Sequence, residues 1–264
     1  KRQVLPLRKT PSGMKQPLRT LVLALCCGLA AACTQRPEHL KLMSYNIRNG
    51  IGIDNIQDIG RIARVILREA PDLVALQELD SATLRVDGRY IPGELGRMTG
   101  MHATFGRAIG FAGGSYGVGV MTRERILDHF TVALPRGEGA EPRVLTVVEL
   151  ARYVIATTHL DHTSAAAQRD QVAVINRVMR ERYAEASKPV FLGGDLNALP
   201  DSGTLRALQE AWTVLTPTDG GTYPSHDPKK CIDYILQLDN GVTSETAGAR
   251  VLHRFEAGDA ARAS

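Results

Sequence analysis

The sequence predicts a single α/β domain with mixed sheets, and three observations predict it. Short runs of β-branched and aliphatic residues alternate with segments whose apolar positions recur every three or four residues, the pattern of strands interleaved with helices. Two of the β-rich runs, residues 144–150 and 153–158, are separated only by Ala151-Arg152, a connection that fits an antiparallel hairpin and makes the sheets mixed. The 264 residues are 44% hydrophobic, enough for one sizeable core, and no repeat of roughly 20–50 residues divides them.

Residues 33–39 read as a linker, and residues 40–45 as the first strand. A helix is expected over about 57–69, where Ile59, Ile62, Ala63 and Ile66 recur at helical spacing, Asp54 or Asp58 is placed to cap the start, and Pro71 stops it. Residues 73–76 are a short apolar run ending in Gln77-Glu78, which reads as a buried strand delivering polar groups at its end. Residues 85–114 hold several glycines and little periodicity, and are expected as loop with a short helix near 93–99. A strand over 118–122 and the hairpin follow. Residues 164–183 read as a helix with Val172, Ile175, Val178 and Met179 on one side, then come a strand at 190–193, a short helix at 202–209 and a strand at 232–236. Trp212 reads as core.

Charge is unevenly spread. Residues 1–32 carry six of the 32 Lys/Arg and none of the 28 Asp/Glu, so the +4 formal charge belongs to the N-terminal segment and the remainder is slightly acidic. That balance disfavours broad, sequence-independent nucleic-acid binding, which depends on a field of positive charge. From Met14, a basic stretch precedes twelve residues, 21–32, of apolar and small type, too short for a permanent span and placed as a secretory signal would be. Residues 1–32 are therefore expected to be an upstream extension plus signal peptide. Leu29-Ala30-Ala31-Ala32-Cys33 resembles a lipobox, with Cys33 as the acylated residue. The expectation is an exported cell-envelope lipoprotein, tethered to the membrane through its N-terminal lipid, with a soluble periplasmic or secreted product as the alternative. Cys26 and Cys27 fall in the leader, so the body, residues 40–264, retains only Cys231 and can form no internal disulfide. A monomer is expected.

Several strand-like runs end in polar residues suited to phosphate chemistry. They are Ser44-Tyr45-Asn46, Leu76-Gln77-Glu78, Thr158-His159-Leu160-Asp161, Gly193-Gly194-Asp195-Leu196-Asn197 and Ile232-Asp233-Tyr234. Phosphoester hydrolysis puts a water in line with phosphorus while charge grows on the surrounding oxygens, and a hard divalent ion relieves that charge. Mg²⁺, or Mn²⁺ in its place, takes carboxylate and amide oxygens while keeping several waters, so Glu78 with Asn46 would make an open site. Asp195 and Asn197, two apart, would point the same way from extended chain, one to orient or deprotonate the water and the other to donate to a phosphoryl oxygen. His159 supplies a further donor, Asp233 would fix the tautomer of an imidazole, and Gly193-Gly194 would let substrate approach the backbone. Tyr116 and Arg85 are candidate substrate contacts.

These runs, with Tyr116-Gly117-Val118-Gly119-Val120-Met121-Thr122-Arg123 and Ile232-Asp233-Tyr234-Ile235 in their order, resemble the endonuclease/exonuclease/phosphatase superfamily from about residue 41 to 236. The resemblance implies a four-layer sandwich, two mixed sheets face to face between outer helices, with the site at one edge. It implies Glu78 as the main metal ligand with Asn46 beside it, and Asp195 with Asn197 as water-activating and phosphate-orienting groups. Members include deoxyribonucleases, sphingomyelinases, inositol-phosphate phosphatases and enzymes linked to GPI-anchor lipid remodelling, and the motif spellings are most similar to the last group. Family members close with a Ser-Asp-His motif and a strand. The 264 residues hold no such motif, and His253 stands in no motif context. The chain as it stands is thus expected to be nearly inactive, since losing a general acid/base costs about 10²- to 10⁴-fold. Cys231 also stands where a basic residue is common.

Two other readings compete. Gly113-Gly114-Ser115-Tyr116-Gly117 matches the G-x-S-x-G elbow of acyl hydrolases with Ser115 as nucleophile, but that elbow needs a strand before and a helix after, whereas 118–122 reads as strand. A binding-only lipoprotein on the same scaffold is the other; it has no physical need for the polar set at the strand ends. His39, His102, His129 and His226 read as surface or structural residues.

Overall fold

The computed structural model describes residues 39–252; the expected leader, Cys33 as the expected acylated residue, and His253 lie outside the described residues. The chain enters β1 (Leu42–Asn46) and crosses through α1 (Ile59–Glu69) to β2 (Leu73–Ser81), which lies parallel to β1. Asp58 caps α1 by accepting from the Arg61 backbone N–H, and Ala70 in the left-handed region ends it. Asp54, the other candidate cap, instead holds the Arg61 guanidinium at 2.8 and 3.0 Å. α2 (Ile91–Thr99) then leads to β3 (His102–Ala103), β4 (Gly106–Phe111), β5 (Gly114–Thr122) and β6 (Asp128–Ala133).

The expectation of loop over most of residues 85–114 is corrected here, since β4 pairs antiparallel with β5 along that stretch. Its sequence, Gly-Arg-Ala-Ile-Gly-Phe, hides the strand because two of six residues are glycine. One of them has a packing reason: a Cβ on Gly106 would sit 1.7 Å from the Thr146 hydroxyl oxygen and 2.9 Å from that of Thr131, so the strand is packed there more closely than a side chain allows. β6 was also unforeseen, being a half-exposed edge strand whose face alternates only weakly.

The hairpin across Ala151-Arg152 is present as β7 (Val144–Glu149) and β8 (Val154–His159), and α3 (Ala165–Tyr183), capped by Ser164, carries the chain to β9 (Val190–Asp195), parallel to β8. α4 (Gly203–Gln209), β10 (Trp212–Val214) and β11 (Asp233–Leu238) complete the order. One sheet runs β1-β2-β5-β3 with β4 also on β5; the other runs β10-β11-β9-β8-β7-β6. Among the described residues, no helix is long and apolar enough to cross a membrane.

Three apolar clusters stack the elements into four layers. Leu73, Ala75 and Val120 meet Val148, Ile155 and Phe191 between the sheets. Ile62, Ile66 and Leu95 bury α1 and α2 on the outer face of the first sheet, with Val74, Leu76 and Leu79. Val172, Ile175 and Met179 bury α3 on the second, where Trp212 is also buried. Each such side chain contributes roughly 1.5–3 kcal/mol on burial, and the sheets are thereby fixed face to face. Gly193 serves this contact: a Cβ there would lie 2.7 Å from the Ala75 Cβ of the other sheet, and one on Gly194 would lie 2.5 Å from the Thr158 carbonyl oxygen. Their smallness is used for strand and sheet packing, which corrects the expectation that they admit substrate.

Candidate active site

Both parallel pairs, β1–β2 and β8–β9, end at the same edge of the sandwich, and their ends carry the polar residues. Asn46 closes β1, His159 closes β8 and Asp195 closes β9; His159, Asp195 and Asp233 stand side by side in register across β8, β9 and β11.

Glu78 arrives by a different device. Val74, Leu76 and Leu79 all pack against the helices on the outer face, so the apolar spacing along β2 is two and then three. The extra residue falls in a register shift between Leu76 and Leu79, and Glu78 has φ of +55° there. A bulge re-aims a side chain in this way, and a non-glycine residue held in the left-handed region marks a site that the surrounding fold over-determines. Gln77 beside it turns between the sheets, fully buried, and donates to the Thr157 hydroxyl at 3.0 Å.

The two sheets meet at Asn46. Its Nδ2 donates to Glu78 Oε1 at 2.9 Å and to Asp195 Oδ2 at 3.1 Å, while its Oδ1 accepts from the Arg48 backbone N–H at 3.0 Å. His159 Nε2 lies 3.7 Å from the same Asp195 Oδ2. Asp195 Oδ1 accepts from the Asn197 backbone N–H at 3.0 Å. Asn197, also left-handed at φ +48°, donates one side-chain N–H to the Leu160 carbonyl at 3.1 Å, leaving the second for other partners. Asn46, Glu78, His159, Asp195, Asn197 and Asp233 thus share one edge.

The electrostatics follow from crowding. Burial holds the Asp195 carboxyl above the usual carboxylate range, with the Glu78 charge adding to it; Asp233 is raised by burial, then by Asp195 and Glu78. His159 is pushed down to about 3, first by burial and then by Arg143 and His162, so it is a neutral imidazole at physiological pH.

Asp233 itself neighbours carboxylates and Thr222, whose hydroxyl accepts from the Asp233 backbone N–H at 3.2 Å. The imidazole of His159 is on Asp195 instead, so the tautomer-fixing role expected for Asp233 has no partner among the described residues. Arg85 spends its Nε and one terminal nitrogen on the fully buried Asp80, at 2.6 and 2.7 Å, and stacks on Phe111 and Tyr116 with centroid distances of 4.6 and 5.3 Å. It braces the wall that carries Tyr116 opposite Asp80. Asp161 caps the turn into α3, accepting from Thr163 and Ser164. Ser115 lies within β5, directly after the Ala112-Gly113 turn from β4, with no helix following, and the acyl-hydrolase elbow is ruled out.

A cleft of about 1120 Å³ opens on this edge, with Asn46, Glu78, Asp195 and Asp233 in its lining. Thr222, Tyr223 and His226 of the 216–230 loop form one wall, and His226 is exposed there, a surface residue as expected, at the cleft. Among the described residues no three of His, Cys, Asp and Glu form a cage for a metal. A hard divalent ion suits these groups as an open site: Glu78 offers carboxylate oxygens, the Asn46 amide oxygen, engaged by the Arg48 N–H, keeps a second lone pair, and the negative charge crowded around them is what such an ion neutralises. Sequence reasoning missed Arg143, a buried cation at the start of β7 that acts on His159 and Asp195; it stands in an aperiodic stretch with no motif to mark it.

A family model described as "Endonuclease/Exonuclease/phosphatase family" matches residues 43–244. Among solved structures, the chain is similar to an endonuclease/exonuclease/phosphatase from Beutenbergia cavernae DSM 12333, at 24% identity over 76% of this chain and 64% of that one, with a TM-score of 0.61. It thus spans about 64% of that protein's length. A mannosyl-6-phosphatase from Bacteroides thetaiotaomicron VPI-5482 is similar at 17% identity over 76% of this chain and 86% of that one, TM-score 0.62. Sphingomyelinase C from Streptomyces griseocarneus is similar at 17% identity over 79% and 87%, TM-score 0.57. These likenesses share the fold. None of the curated proteins compared matches the chain.

Proposed function

The chain belongs to the endonuclease/exonuclease/phosphatase family, and from that premise we propose that it is a divalent-metal-dependent hydrolase of a phosphodiester or phosphomonoester. The observation that carries the proposal is the meeting of Asn46, Glu78, His159 and Asp195, drawn from four strands of two sheets, at one cleft edge. A fold has no packing need for two carboxylates, an amide and an imidazole in contact, whereas phosphoryl transfer has a use for each.

Mg²⁺, or Mn²⁺, held by Glu78 and Asn46 would supply charge stabilisation of the phosphoryl oxygens. Asp195 orients the attacking water and takes its proton at Oδ2, a role suited to a carboxyl whose basicity burial has raised. The Asn197 backbone N–H fixes the other Asp195 oxygen, so the lone pair facing the cleft is held in one direction. His159, neutral, donates an N–H to a phosphoryl oxygen. Asp233 adds to the negative charge that draws the metal. Tyr116 lines the approach from the first sheet, on the wall that Arg85 braces.

The substrates named for the similar folds, a mannosyl 6-phosphate and sphingomyelin, span monoester and diester. The slightly acidic body and the lipobox-like Cys33 favour a phospholipid-like or small soluble phosphoester outside the cytoplasm over bulk DNA, with the protein tethered as a lipoprotein. The test assays the protein on sphingomyelin, inositol phosphates and DNA with Mg²⁺ and with EDTA. Turnover of at least one of them, lost on addition of EDTA, is the expected result. Equal turnover with and without EDTA removes the metal from the mechanism.

A further inference from the structure

We infer that the active-site edge is an interfacial docking face, which seats on a zwitterionic lipid bilayer through apolar side chains on five separate segments and takes a phosphoester held in that bilayer. The inference rests on the phosphoester reading above and names the surface from which the substrate comes.

Nine large apolar side chains are exposed among the described residues, and seven of them stand at this one edge. From the first sheet come Ile53 and Ile56, between β1 and α1, Leu84 and Tyr90, in the segment that follows β2, and Phe111, at the turn from β4 to β5. From the second come Leu199, between β9 and α4, and Tyr223, in the loop before β11. The other two lie away from it. Leu67 is near the end of α1, and Leu127 donates its N–H to the Glu149 carbonyl beside the Ala151-Arg152 turn, at the end of the β7–β8 hairpin far from His159. Single exposed apolar residues are normal on a protein surface, so their number decides nothing; their collection around one cleft does. Leu84 is 76% exposed and Tyr223 55%, in segments where a polar turn residue would serve the backbone as well.

The arrangement favours a fluid surface over a rigid partner. Ile53 and Tyr223 line the cleft itself. Leu84 and Phe111 flank the strand that delivers Glu78: the Leu84 N–H donates to the Ala112 carbonyl at 2.8 Å, and the Arg85 guanidinium stacks on the Phe111 ring. The seven side chains thus belong to separate segments of both sheets and form no single patch. A rigid partner broad enough to cover them all would close the cleft, whereas a bilayer admits each side chain singly and presents its phosphoester head groups to the opening between them. Tyrosine, with an apolar ring and a polar tip, suits the head-group level, and leucine, isoleucine and phenylalanine suit the acyl boundary below it. Charge near the edge is paired locally: Arg61 with Asp54, Arg85 with Asp80, Arg143 with Glu141 and Lys229 with Asp227. An anionic membrane or a nucleic acid calls instead for a field of uncompensated cations, so the occupant is zwitterionic and held by insertion.

The test is tryptophan fluorescence of the 264-residue protein mixed with phosphatidylcholine vesicles whose acyl chains carry bromine, a contact quencher, in the presence of EDTA. The single tryptophan, Trp212, is buried and gives a constant background. Leu84→Trp and Tyr223→Trp each place an indole on the proposed face, from different sheets, and Leu127→Trp places one at the opposite edge. With vesicles, emission from the first two should shift to the blue and be quenched, while Leu127→Trp keeps its emission. Because insertion is apolar, the effect should persist in about 0.5 M salt, where charge attraction is largely screened. Attachment through any other part of the chain is common to all three variants and would quench them alike. Should Leu84→Trp fail to fold by circular dichroism, Phe111→Trp takes its place. Equal quenching of all three variants, or of none, overturns the inference, as does a blue shift that appears without vesicles and grows with protein concentration, which would assign the edge to a second copy of the chain. Quenching confined to the edge variants, with no EDTA-sensitive turnover in the assay above, would sink the hydrolase reading and leave the docking face standing; EDTA-sensitive turnover with no quenching at the edge would do the reverse.

Discussion

Adding Mg²⁺ should stabilise the fold, and should do so more at pH 8 than at pH 5. The perturbation acts on the carboxyl groups of Asp195 and Asp233, both held above the ordinary carboxylate range by burial and by one another and Glu78. A carboxyl raised in the folded state binds its proton more tightly there than in the unfolded chain. Its stabilising contribution is then fully present below the unfolded value and is lost as pH rises through the folded one. Without metal, stability should therefore fall from pH 5 towards pH 8. A divalent ion binds the deprotonated form and replaces the lost protons, so its effect grows over the same window. At a metal concentration of 100 times Kd, linkage gives about 2.7 kcal/mol. For a domain of this size each kcal/mol moves Tm by roughly 2–4 °C, so the increment at pH 8 is about 5–10 °C. Thermal scans with Mg²⁺ and with EDTA at both pH values measure it, and Glu78→Gln should abolish it while leaving the EDTA-treated protein at least as stable as the parent. An increment equal at pH 5 and pH 8, or one that survives Glu78→Gln, would refute the carboxylate-crowding argument.

Three further outcomes follow from the packing. Gly193→Val should lower stability by about 1–3 kcal/mol, seen in urea denaturation, because its Cβ would already be 2.7 Å from Ala75 across the sheet interface. Arg85→Met should cost about 3–5 kcal/mol in the same assay by leaving the fully buried Asp80 without its bidentate partner, and the pair Asp80→Asn with Arg85→Met should recover part of it. Ser115→Ala should leave phosphoester turnover within about twofold, as befits a strand residue with no nucleophile's geometry.

How much of this was legible beforehand differs by element. α1 and α3 announce themselves, because an amphipathic face and a side-chain cap at Asp58 or Ser164 are both local properties of the sequence. β4 and β6 do not, because what makes them strands is the unmet backbone of β5 and β7 beside them, a tertiary fact. The polar residues at the ends of β1, β8 and β9 could be picked out one by one, since each follows a β-rich run, but their gathering depends on parallel pairings that no single run encodes. Arg143 was invisible for the complementary reason: its significance lies in burial and in its action on His159 and Asp195, and neither leaves a pattern in the chain.

β2 joins the two levels. The spacing of Val74, Leu76 and Leu79 is readable as two then three, and a strand that keeps one apolar face can accommodate that only by extruding a residue between Leu76 and Leu79. Without the bulge, Glu78 would occupy the face that Leu76 packs against the helices, burying a carboxylate in an apolar layer, and Leu79 would turn between the sheets. With it, the apolar register is kept and the carboxylate is turned out to meet Asn46. The same insertion that preserves the core on one face therefore delivers the Glu78 carboxylate to Asn46 and the cleft. Deleting Glu78 would accordingly return Leu79 to ordinary alternation and keep the fold while removing the site, whereas replacing it with glutamine keeps both the bulge and the Asn46 contact and removes only the charge.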